Sequence, residues 1–291
     1  MRHACCGSIT SARLAISHAG ANNLEVRIHS IAFDRAAQYY DETRGLPLEV
    51  SEQIADRLEA AAGPGARFLE IGVGTGRIAL PLYRRGRRVL GIDLSIPMLE
   101  RYRAKATSAG LAPPPVMCAD ATRLPVRDSS VEAVIEVHVF HLIAGWREAL
   151  REVRRVLAPG GVILVARRIW ERREGRGPRA RARERHAAIL AEMGFRGERI
   201  GARTDHEVFG AFTDMGGHVE ELERVAWRED ETWAEHIDVL ERRVWSESWK
   251  IPEGVWEEGI RRLRAELAAE RVDLHAAVPA VRHEEFAAIR F

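Results

Sequence analysis

Between residues 68 and 80 the chain reads FLEIGVGTGRIAL: a short apolar run, three closely spaced glycines, then helix-forming residues. A strand that passes through glycines straight into a helix is the opening half of a β–α–β unit, and it restricts the architecture of the downstream chain. The downstream residues obey that restriction. Apolar runs near 66–71, 88–92, 115–119, 131–138 and 161–167 alternate with helical patterns near 76–85, 96–109 and 146–157. Apolar strands separated by amphipathic helices predict a parallel sheet covered on both faces. Right-handed crossovers then bring the C-terminal ends of the strands, and any ligand, to one edge. The expected fold class is α/β, a doubly wound and mostly parallel sheet.

Upstream, LPLEVSEQIADRLEAAAGPG puts Val50, Ile54, Leu58 and Ala61 on one helical face, with Gly63-Pro64-Gly65 as the stop. Downstream of residue 168 the alternation breaks. An Arg-dense segment becomes a helix that runs to Gly194, and a short helix is expected near 205–215. One strand is expected in HVEELERVAW, then Trp-bearing helices near 231–248 and 253–270, then a last strand in EEFAAIRF.

The glycines imply a nucleotide-like cofactor. A dinucleotide fingerprint wants Gly or Ala where this chain has Arg77, after Gly72, Gly74 and Gly76, and a guanidinium is a poor substitute there. Glu70, just before the glycines, would repel a pyrophosphate but would suit a ligand carrying an amino group. S-adenosylmethionine has such a group, a sulfonium and no phosphate. Asp93, ending the second strand, can accept hydrogen bonds from ribose hydroxyls; Asp120, after the third, can accept the adenine amino proton.

Four segments carry a resemblance: FLEIGVGTGR, VLGIDLSIPMLERYRAKA, CADATRLPVRDSSVEAVIEVHVFHLI and ALREVRRVLAPGGVILVA. In this order and spacing, across residues 33–168, the chain resembles the class I S-adenosylmethionine-dependent methyltransferases, in particular the methyltransferase type 11 group. That resemblance implies a seven-stranded sheet ending in an antiparallel hairpin. It implies that Glu70, Gly72, Gly74, Gly76, Asp93, Asp120 and Ala121 line the cofactor, with Ser95 and Met98 beside its adenine and ribose. Glu136, at the end of the fourth strand, joins that set. In FDRAAQYYDETRG, which often folds over the cofactor in such enzymes, Tyr39, Tyr40 and Arg44 are lid or substrate candidates, or the tyrosines simply cap the helix layer. The expected division is a poorly ordered tail over 1–30, a helical cap over 31–65 and an S-adenosylmethionine-binding core over 66–168. Residues 169–291 complete the sheet and carry inserted Trp-rich helices.

The expected activity is methyl transfer to a small-molecule acceptor. A nicotinamide-dependent oxidoreductase and a non-catalytic S-adenosylmethionine-binding protein are the alternatives. EVHVFHLI offers His138 and His141 as general bases, or as residues that only orient a loop. The tryptophans at 227, 233, 245, 249 and 256 either wall an acceptor pocket or seal the added helices.

Other features bound the reading. Net charge is +1, which argues against a polyanionic partner. Residues 167–185 hold nine arginines against three glutamates, but nearly all basic residues of this chain are Arg, so a solvated helix is expected there rather than a nucleic-acid contact. No apolar run nears the roughly 20 residues a bilayer requires, and the N-terminus lacks the pattern of a signal peptide, so the expected location is the cytoplasm. Adjacent Cys5 and Cys6 lack the second ligand pair of a zinc site and read as free thiols, so no metal is expected; Cys118, in an apolar run, reads as a small core residue.

Overall fold

A computed structural model describes residues 30–167, 177–196 and 200–291. The expected loose tail up to residue 29, with Cys5 and Cys6, and most of the Arg-dense stretch before residue 177 lie outside the described residues.

Two helices, α1 (Tyr40–Arg44) and α2 (Leu48–Ala62), lead into the alternating core. That core comprises β1 (Arg67–Ile71), α3 (Ala79–Arg84), β2 (Arg88–Asp93), α4 (Ile96–Ser108), β3 (Val116–Cys118), β4 (Val131–Glu136), α5 (Trp146–Val156) and β5 (Leu157–Ala166). Then come α6 (Pro178–Glu192), α7 (Asp205–Asp214), β6 (His218–Glu221), β7 (Val225–Glu231), α8 (Trp233–Glu241), α9 (Glu253–Ala269), β8 (Val278–Glu284) and β9 (Phe286–Arg290). The main sheet has seven strands in the order β3-β2-β1-β4-β5-β9-β6. Only β9 runs antiparallel to its neighbours, which gives the expected terminal hairpin. The progress of the chain across the sheet reverses between β1 and β4, and there the connecting loops part to leave a crevice.

Burial on both faces follows from the period of two along each strand. Phe68, Ala133, Ile135, Val162 and Leu164 point to the layer formed by α2, α3 and α4. Leu69, Ile71, Val134, Ile163 and Val165 point to α5 and α7. Helix α4 starts where Ser95 Oγ accepts the Met98 N–H at 3.3 Å, with a proline in the first turn. Thr204 with Glu207 and Thr232 with Glu235 form reciprocal capping boxes that start α7 and α8.

The C-terminal region departs from expectation in several ways. HVEELERVAW is not one strand. It divides into β6, which joins the main sheet, and β7, which pairs with β8 in a separate two-stranded ribbon. The Trp-bearing helix expected over 231–248 stops at Glu241. Helices α6, α8 and α9 bury a third core that includes Leu190, Trp233, Ile237, Trp256 and Leu263. Cys118 is exposed, because β3 is a short edge strand with Met117 also open to solvent. Among the described residues no helix is long and apolar enough to cross a membrane.

Candidate active site

The turn after β1 has a shape that only glycine gives. Gly72 sits at φ +65°, and a Cβ there would lie 2.2 Å from a methyl of Val139. Gly76, at φ +76°, lies against the Tyr102 ring, which a Cβ would meet at 2.1 Å. Asp93 organises the turn: its two carboxylate oxygens accept the Gly74 and Ser95 N–H groups, each at 2.8 Å. Burial raises the Asp93 pKa, while these backbone donors pull it back down.

Above this turn, at the point where strand order reverses, lies a cavity of about 460 Å³. That volume falls in the range of small-molecule sites. Gly72, Gly74, Asp93, Met98, Asp120 and Ala121 line it, as do Tyr40, Arg44, His138 and His141. Sequence reasoning had brought all of these together. Asp120 stands exposed at the rim, where its Oδ1 accepts the Thr122 N–H and hydroxyl, both at 2.9 Å.

Five expected residues do not line this cavity. Glu70 is sealed behind the glycine turn at 2% exposure; burial pushes its carboxyl pKa well upward, and its Oε2 has no hydrogen-bond partner. Gly76 serves the packing of Tyr102 instead. Ser95 is fully buried as the α4 cap. Glu136 anchors the loop after β4: its Oε1 accepts N–H groups from Val139 and from Phe140, the latter at 3.1 Å. Tyr39 turns away from the cavity, its ring covered by the Arg242 guanidinium at 5.7 Å.

The loop that Glu136 anchors carries His138 at φ 56°, a left-handed conformation uncommon for a non-glycine residue. Such local strain is concentrated at functional loops. Across the cavity, α1 is tied to the glycine turn through Asp41, whose Oδ1 accepts Thr75 Oγ1 at 2.5 Å and Lys105 Nζ at 2.8 Å. Arg44 stacks over the Tyr40 ring at 4.8 Å, so both face the cavity from one short helix.

The remaining wall was missed from sequence. Arg77, read as a misfit, forms an ion pair with Glu284 at 2.7 Å, both side chains largely buried. It links the glycine turn to β8. The Arg-dense helix is not simply solvated: Arg179 and Arg183 line the cavity, while Arg185 pairs outward with Glu270 at 2.7 Å. The tryptophans divide between the two readings. Trp227 and Trp245 line the cavity, whereas Trp233 and Trp256 belong to the three-helix core. Helical spacing places 179 and 183 on one face one turn apart, a signal that was available but hidden among so many arginines.

Residues 69–165 match the family model described as a methyltransferase domain. Over that segment the chain is similar to methyltransferases. A malonyl-[acyl-carrier protein] O-methyltransferase of Halorhodospira halophila is 37% identical over 152 residues, covering 50% of this chain and 50% of the relative. A demethylmenaquinone methyltransferase of Thermus thermophilus is 42% identical over 101 residues, covering 34% of this chain and 46% of the relative. The chain thus spans about half the length of these curated relatives. Among solved structures, the YcgJ protein of Bacillus subtilis superimposes with a TM-score of 0.53 at 17% identity, over 83% of this chain and 98% of that one. This likeness shows that the two chains share a fold.

Proposed function

We propose that this chain is an S-adenosylmethionine-dependent methyltransferase acting in the cytoplasm on a small-molecule acceptor. The observation that carries the reading is the cavity at the strand-order reversal, lined by Gly72, Gly74, Asp93 and Asp120 on one side and by His138 and His141 on another. The residues fit the cofactor. Asp93 stands where it can accept from a ribose, and Asp120 is at the rim for an adenine amino group. No phosphate-seeking arrangement occupies the turn, and Arg77 is committed to Glu284. These points weigh against the nicotinamide alternative.

When bound, S-adenosylmethionine supplies a methyl group on a sulfonium, a good leaving group for in-line displacement. The task left to the protein is to hold an acceptor close and aligned, which can supply about 7–11 kcal/mol. Tyr40 and Arg44 close the cavity from the cap, which we read as residues 31–65 over a core of residues 66–168. Residues 169–291 complete the sheet and supply the acceptor-facing wall. His138 or His141 would take the acceptor proton, an effect of about 10²–10⁴-fold where a proton must leave.

The test is calorimetric titration with S-adenosylmethionine, S-adenosylhomocysteine and NADH, on the natural protein and on Asp93→Ala. Both sulfur ligands should bind, NADH should not, and Asp93→Ala should weaken binding about 10- to 100-fold, the loss of a charge-assisted contact. Binding of NADH alone would overturn the reading. Turnover in an acceptor screen then separates an enzyme from a protein that only binds the cofactor.

A further inference from the structure

The cavity is charged unevenly. Asp93 and Asp120 mark one end of it, and Arg44, Arg77, Arg167, Arg179, Arg183 and Arg282 face it elsewhere, beside two further carboxylates among the described residues, Glu231 and Glu284. Both of those carboxylates are committed. Glu284 pairs with Arg77 at 2.7 Å. Glu231 accepts from Arg282 Nε at 3.0 Å on one oxygen and from the Arg179 backbone N–H at 2.9 Å on the other.

Arg44 and Arg179 are held differently. The Arg44 guanidinium reaches the Val244 carbonyl at 3.2 Å and Thr43 Oγ1 at 3.3 Å. That of Arg179 reaches the Thr43 carbonyl at 3.3 Å. Neither forms an ion pair with a carboxylate among the described residues, and a single residue, Thr43, receives both. Desolvation lowers the pKa of Arg179 to about 10; the neighbouring charges of Arg282, Arg44 and Arg183 act in the same direction, and Glu231 opposes them. Cations that outnumber the carboxylates beside them in a partly dry site are costly, and an anion arriving between them reduces that cost. Arginine is suited to the task, because its planar fork meets a carboxylate or phosphate with two parallel hydrogen bonds. Trp227 and Trp245 offer an apolar surface alongside, with Arg183 stacked over the Trp245 ring at 4.8 Å.

Building on the methyltransferase reading, we propose that the acceptor is a small organic anion whose carboxylate or phosphate group is received by Arg44 and Arg179, with its apolar body against Trp227 and Trp245. The methyl-transfer reading assigns the chemistry; this inference assigns the class of molecule that undergoes it.

The test uses protein saturated with S-adenosylhomocysteine and four probes: benzoate and phenyl phosphate, with benzamide and phenol as their neutral counterparts, monitored by ligand-detected NMR and calorimetry. At least one anion should bind about tenfold or more tightly than its neutral counterpart, and which one does so separates carboxylate from phosphate. Arg179→Met should abolish that preference while leaving S-adenosylhomocysteine affinity within about threefold, and Arg179→Lys should keep part of it. Equal binding of charged and neutral probes overturns the proposal. So does a preference that survives both Arg179→Met and Arg44→Met. Should Arg179→Met lose the sulfur ligand as well, the arginine serves the cofactor's own carboxylate and the proposal falls. Should the natural protein fail to bind the sulfur ligand, the methyltransferase reading fails instead; the probe preference, measured on the free protein, still decides this one.

Discussion

At one end of the cavity, Gly72, Gly74 and Asp93 fix the shape through backbone angles and N–H groups that no side-chain rotamer can alter. Elsewhere, Arg44, Arg179, Arg183 and Trp245 fix it through long side chains carried on α1, α6 and the segment after α8. The first construction holds one ligand shape and tolerates little substitution. The second can be retuned one side chain at a time without disturbing the sheet. Under the proposed function, the rigid end is the cofactor site and the variable end faces the acceptor, a division by which one fold can support many chemistries.

The two constructions meet at Arg77 and Glu284, and breaking that joint tests the comparison hardest. Arg77→Met strands a largely buried carboxylate and should cost about 3–5 kcal/mol in urea denaturation. Combining it with Glu284→Leu should restore most of the loss, because neither charge is then left alone. A single-variant loss below about 1 kcal/mol would mean that the two ends are not joined through this pair.

The rigidity of the glycine turn can be isolated with a matched control. Gly76 and Gly86 share φ +76°, but a Cβ at Gly86 meets nothing within 4 Å, whereas at Gly76 it strikes the Tyr102 ring. Gly86→Ala should cost about 1–2 kcal/mol from backbone conformation alone. Gly76→Ala should add about 1–3 kcal/mol of overpacking to that, measured by the same denaturation. Equal costs would show that the ring gives way and that the turn is less rigid than its geometry implies.

Acid should weaken the three-helix core before it weakens the sheet. His186 is buried there, its ring 4.3 Å from that of Trp256, and desolvation lowers its pKa from the usual 6.5 to about 4 despite the Trp256 carbonyl. The unfolded chain therefore takes up a proton on this residue before the folded one does. Its stabilising contribution is complete above about pH 6.5 and declines as pH falls to about 4, by up to roughly 3 kcal/mol. His186→Gln should flatten that part of the stability profile. An unchanged slope in the variant would remove His186 as its cause.

Legibility in the sequence divides along the same line. The alternation of β1 to β5 with their helices was readable because a sheet buried on both faces writes itself as uninterrupted apolar runs, such as VILVA at the end of β5. Gly72, Gly74 and Asp93 were readable because backbone constraint leaves few residue choices. Ser95 and Glu136 were expected beside the cofactor, and the structure uses Ser95 to cap α4 and Glu136 to anchor the loop after β4. A side chain that caps a helix or anchors a loop looks, in one dimension, like one that touches a ligand. The ribbon strand β8, VPAVRHE, was missed because a proline and three charged or titratable residues hide its period, and only pairing with β7 makes it a strand. Arg179 and Arg183 were present in every reading, but tertiary packing alone separates them from the arginines on the outer face.

The ribbon also settles where length can change. Residues 225–284 form a single excursion between β6 and β9, which are hydrogen-bonded partners. The excursion leaves and returns as a zipped pair, Val225 opposite Glu284 and Glu231 opposite Val278. Its two ends are already one strand spacing apart, so the entropy of closing this long loop is borne by the ribbon and not by the sheet. Topologically, helices α8 and α9 are the tip of an overgrown hairpin, and Trp245 is their contribution to the cavity wall. The length of this tip can change with β6 and β9 left in register, provided that the face α6 buries against α8 and α9 stays covered.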